Sequence, residues 1–84
     1  MNSKHRKTLF AIFIKPTLST IRFLDIELRL TALGAAIAEG NGSRVTFSHR
    51  DEEWHAHRPH PGKEAKRYQI EGVRDFLTRM EIEL

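Results

Sequence analysis

The chain has no cysteine among its 84 residues. That excludes disulfides, thiol nucleophiles and zinc–thiolate sites together. It also lacks any apolar run near the ~18–20 residues that cross a bilayer. Its longest such run, Leu9 to Ile14, is cut by Lys15-Pro16. The basic segment Met1 to Lys7 before it imitates a signal peptide, but the run falls short of the ~7–15 apolar residues such peptides use, and no small-x-small site follows directly. An amphipathic helix is expected there instead. No membrane contact is expected, and the composition is compatible with the cytoplasm. Gly-rich phosphate loops, dinucleotide fingerprints, paired-acid motifs and nucleophile elbows are all missing, so no cofactor is expected. Aromatic residues are few, with one Trp, one Tyr and five Phe. In so small a core, Trp54 and Phe47 are expected to be structural rather than base-stacking.

The composition that remains is that of a folded domain, with 39% hydrophobic and 30% charged residues. A chain of this length makes one domain, residues 1–84, with a small core. The net charge is +3. Its distribution says more than its total. Asp51, Glu52 and Glu53 fall together, which leaves His55 to Arg67 strongly positive. That stretch holds His55, His57 and His60 with Arg58, Lys63, Lys66 and Arg67, against Glu64 alone.

Periodicity predicts six elements. A helix from about Ser3 to Ile14 would bury Leu9, Phe10, Phe13 and Ile14. A second, from about Arg22 to Leu33, would bury Phe23, Ile26, Leu30 and Leu33 and leave Asp25, Glu27 and Arg29 outside. Gly34 is placed to stop it in the left-handed conformation. A weak strand over Ala35 to Glu39 leads to Gly40-Asn41-Gly42, a hairpin signal. Ser43 to Ser48 alternates, with Val45 and Phe47 on one face and Arg44 on the other. After a turn at His49 to Glu52, a strand over Glu53 to Arg58 would put Trp54 and Ala56 inward and His55 and His57 outward. Pro59-His60-Pro61-Gly62 is expected to be a rigid loop. A helix from about Glu64 to Glu81 would bury Ile70, Val73, Phe76, Leu77 and Met80. The order α-α-β-β-β-α implies an α+β fold, a three-stranded antiparallel sheet with helices on one face. Arg44, His55 and His57 would share its open face.

Imidazole can take and give a proton near neutral pH, and a helix N-terminus suits a phosphate. His60 is therefore a candidate acid, base or phosphate ligand, or a plain loop histidine capping a turn. Lys63, Lys66 and Arg67, read as the first turn of the last helix, would oppose its dipole unless an anion sits there. His55, His57 and His60 could form a three-imidazole metal site. With no carboxylate or thiolate to complete the set, an RNA-facing surface is the expectation and no metal is assigned.

Leu33-Gly34, the run Glu39 to Phe47, the run His57 to Glu64 and the closing amphipathic helix together resemble the HicA family, small toxins of type II toxin–antitoxin systems described as mRNA interferases. The resemblance covers about Phe23 to the C-terminus. It makes residues 21–84 a HicA-like core and residues 1–16 an N-terminal helical extension. It implies a fold similar to a double-stranded RNA-binding domain, metal-independent endonuclease cleavage of mRNA, and inhibition by a HicB-type antitoxin bound over the active face. The family usually carries its catalytic histidine directly after Gly-Ser or Gly-Thr, whereas here Arg44 follows Gly42-Ser43. Pro59-His60 does match. The resemblance thus implies His60 or His57 as the catalytic imidazole with Arg44 as electrophile, and RNA contacts from His55, Arg58, Lys63, Lys66 and Arg67. The alternatives are binding of RNA without cleavage and a diverged remnant that binds only the antitoxin.

Overall fold

The computed structural model describes residues 3–60 and 62–80. Its elements are α1 (Ser3–Ile12), α2 (Phe23–Ala32), β1 (Ala36–Glu39), β2 (Arg44–His49), β3 (Glu52–His57) and α3 (Arg67–Arg79). The strands form one antiparallel sheet in the order β1-β2-β3. The fold is the expected α+β arrangement in the expected order. Pro61 and Glu81, named above in the loop and at the end of the last helix, lie outside the described residues.

Alternation in β2 and β3 sets the two faces of the sheet. Val45, Phe47, Trp54 and Ala56 are buried, while Arg44, His55 and His57 are exposed. The Trp54 ring stacks on Phe47 at 5.3 Å and on Phe23 at 6.0 Å, so α2 seats on the inner face through aromatic contact. Gly72 of α3 lies against the same indole. Ile70, Val73, Phe76 and Leu77 close the core.

Helix α2 ends as its sequence predicts. Gly34 has φ +99°, and the amides of Gly34 and Ala35 bond back to the carbonyls of Thr31 and Leu30. This is the Schellman pattern that an αL glycine allows. Arg29 departs from expectation. It is 1% exposed, and its Nε and Nη2 have no hydrogen-bond partner among the described residues. Burial lowers its pKa, because the charged form loses its hydration.

Two helix boundaries and one helix face differ from the periodicity. α1 stops at Ile12, and Leu9 and Ile12 face the core while Phe10 is 61% exposed. Tertiary partners decide this. Arg74 of α3 donates to the carbonyls of Ile12 and Ile14, placing a cation on the last carbonyls of α1. α3 begins at Arg67 rather than Glu64, because the preceding residues pair elsewhere. Glu64 bridges Arg22, and the Ala65 amide bonds the Ile21 carbonyl at 2.7 Å. Lys63 is therefore a loop residue, Lys66 caps the helix, and only Arg67 lies in its first turn.

Candidate nucleic-acid interface

Antiparallel pairing brings the outward residues of β2 and β3 into register. Arg44 faces His57, and Thr46 faces His55. These four side chains, with Gly40 and Asn41, line an open groove of ≈ 630 Å³. Both imidazoles are oriented by hydroxyls. His57 Nδ1 lies 3.3 Å from Ser43 Oγ, and His55 Nδ1 lies 2.9 Å from Thr46 Oγ1. Such bonds orient the ring, and a hydroxyl can serve either tautomer because it both donates and accepts. His55 Nε2 also faces Glu53 Oε1 at 3.4 Å. His57 Nε2 has no partner among the described residues, so it is the imidazole nitrogen free to meet a ligand.

The β1–β2 connection that walls this groove is a four-residue loop. Gly40 N–H donates to the Arg44 carbonyl at 2.9 Å, and only Gly42 adopts positive φ. It brings Ser43 within reach of His57.

The histidines do not all converge. His60 is exposed and lines a different hollow, with Phe23, Leu24, Glu27, Arg58, Pro59 and Lys63. Among the described residues, no three His, Asp or Glu side chains are placed to hold one metal ion. Arg58 also has another role than the expected RNA contact. Its Nε and Nη2 donate to the Glu27 carboxylate at 2.8 and 3.1 Å, and its Nη1 donates to Glu39. These bonds raise its pKa above the ordinary guanidinium value, and the bond from Arg58 holds the Glu39 carboxyl below the usual carboxylate range. Arg58 therefore ties the end of β3 to α2 and β1, and its charge is already balanced.

Lys66 and Arg67 are exposed, and Arg67 Nε donates to the Thr17 carbonyl at 3.2 Å. The Lys66 backbone is tied to the end of β3 by a residue the sequence did not single out. Gln69 is 5% exposed, its Oε1 accepts from the Lys66 amide, and its Nε2 donates to the His57 carbonyl, each at 2.9 Å. It joins the start of α3 to the strand end that carries His57. A polar residue one position before the apolar stripe at Ile70 was the available signal for it. Ser43 and Thr46 carried a similar signal, since each is a hydroxyl residue near an outward histidine in the hairpin register.

The arrangement defines a class: a small α+β protein with helices on one face of its sheet and a basic, imidazole-bearing groove on the other. The family model described as HicA toxin of bacterial toxin-antitoxin matches residues 25–79, more than half of the chain. The chain belongs to this family and carries α1 ahead of the matched segment. Comparison with curated proteins and with solved structures gave no match.

Proposed function

We propose that this toxin is an endoribonuclease that cuts mRNA without a metal and is neutralised by a HicB-type antitoxin, acting in the cytoplasm where its substrate lies. The observation that carries the reading is the groove, where one unencumbered imidazole nitrogen, His57 Nε2, faces an arginine across a strand pair. In this reading His57 Nδ1–H donates to Ser43 Oγ, which leaves the Nε2 lone pair to take the proton of a ribose 2′-OH. The 2′ oxygen bonds to phosphorus as the bond to the 5′ oxygen breaks. Arg44 neutralises the charge that builds on the phosphoryl oxygens, usually the largest single catalytic contribution. His55, protonated, gives its proton to the leaving oxygen. The products are a 2′,3′-cyclic phosphate and a 5′-hydroxyl. Lys66 and Arg67 hold flanking phosphates, while Lys63 lines the other hollow with His60.

His60 lies in the other hollow and plays no part in proton transfer here. Purified protein incubated with RNA and a chelator tests the scheme. His57→Ala should slow cleavage by about 10²–10⁴-fold, and His60→Ala should leave the chemical step intact. Uncut RNA with the unmodified protein, or unchanged cleavage by His57→Ala, would overturn it. One observation favours a second reading, RNA binding without cleavage. The position where the family resemblance expects a histidine holds Arg44, which cannot accept a proton. Salt-sensitive binding without products would select that reading.

A further inference from the structure

The groove uses Arg44, His55 and His57 and leaves a second surface unexplained. Leu24 and Leu28 stand one turn apart on α2, 55% and 44% exposed. Leu24 also walls the hollow of ≈ 200 Å³ that it shares with Phe23, Pro59 and Gly62. One edge of that hollow is the Arg58 guanidinium, which is bonded to both Glu27 and Glu39. The other edge carries His60 and Lys63, and Lys63 has no carboxylate partner among the described residues. α1 reaches α2 through Lys4 and Asp25 at 3.5 Å and does not cover the leucines.

An exposed apolar strip bordered by charge marks a contact with another protein. Nucleic acid gains little from exposed leucine, because it is recognised through phosphates, stacking and base edges. We infer that the Leu24–Leu28 strip and its hollow are a docking site for the protein antitoxin. The antitoxin seats an apolar side chain beside Leu24 and sets acidic residues against Lys63 and His60. Charge complementarity favours this occupant, since Lys63 is a lining cation without a carboxylate partner among the described residues and the chain as a whole carries +3. The inference rests on the reading that a protein antitoxin neutralises this chain, and it adds a grip away from the RNA groove. An antitoxin held there need not compete with RNA for its entire binding energy.

The test is calorimetric titration of the toxin with its separately purified cognate antitoxin. It compares the unmodified chain, the double variant Leu24→Glu with Leu28→Glu, and Lys63→Glu. Both leucines are exposed, so the double variant should keep its circular dichroism spectrum and its RNA cleavage. Its affinity for antitoxin should fall roughly 100-fold, as for loss of an apolar anchor with added like charge. Lys63→Glu should weaken binding about tenfold through the rim alone. A double variant that binds antitoxin within about threefold of the unmodified chain overturns the inference. So does a double variant that keeps the antitoxin and loses RNA, which would assign the strip to nucleic acid. Failure of the unmodified chain to bind antitoxin defeats the underlying reading and is distinguished by its own titration.

Discussion

Replacing Gly72 with alanine probes the packing of α3 on the sheet at one atom. A Cβ at this position would lie 2.7 Å from Trp54 Nε1 and 3.5 Å from Cδ1. The indole is crowded further by Phe47 and Phe23, whose ring centroids lie 5.3 and 6.0 Å from it, so it has little room to retreat. Overpacking a filled core costs about 1–3 kcal/mol. Alanine returns roughly 0.5–1 kcal/mol through better helix propensity. The net loss should be about 0–2.5 kcal/mol, and each kcal/mol lowers the melting temperature of a domain this size by roughly 4–8 °C. Urea unfolding followed by circular dichroism measures the loss. The single tryptophan gives a second signal from the site itself. A cycle with Trp54→Phe isolates the clash, since the smaller ring lacks the pyrrole edge. In that background Gly72→Ala should cost less, or should stabilise by its helix propensity alone. A higher unfolding midpoint for Gly72→Ala in the unmodified chain would refute the reasoning.

Other consequences can be measured on the same material. Arg29→Met removes a buried guanidinium with two nitrogens unpaired among the described residues. It should stabilise the fold by about 1–3 kcal/mol, read as a higher urea midpoint. Glu39 has its folded pKa depressed by the hydrogen bond from Arg58. Its contribution is fully present above its unfolded value of about 4.3 and is lost as pH falls through the depressed folded value. The stability difference between the unmodified chain and Glu39→Gln, from melts at stepped pH, should therefore hold above pH ~5 and shrink in strong acid. A difference that grows on acidification would contradict the assignment.

Local pattern was a good guide where the sheet decides the outcome. The alternation of Val45 and Phe47 with Arg44, and of Trp54 and Ala56 with His55 and His57, put each side chain on its correct face. It failed where a distant partner decides. The start of α3 was misread because Ile21 and Arg22 pair with Ala65 and Glu64, and no local periodicity reports that pairing. The inward face of α1 follows from what α3 and α2 present to it. Arg29 was placed outside because charge ordinarily stays in water. Arg50 takes the left-handed position of the β2–β3 turn at φ 57°, where sequence preference points to Gly or Asn. At the site, the convergence of Arg44 with His57 was legible from register. The commitment of Arg58 to two carboxylates was not, because Glu27 lies thirty-one positions away.

Gln69 has a consequence for which substitutions its site can accept. Its amide must accept at one end and donate at the other, in one order, because a backbone N–H lies on one side and a backbone carbonyl on the other. Glutamate has the right length but would aim a negative oxygen at the His57 carbonyl. Asparagine has the right polarity but stops one methylene short. Methionine fills the space and leaves both backbone groups unpaired. The position works as a polarised plug with a single matching key. Any shift in how α3 starts moves the strand end that carries His57, so the precision of the groove is set from behind the sheet.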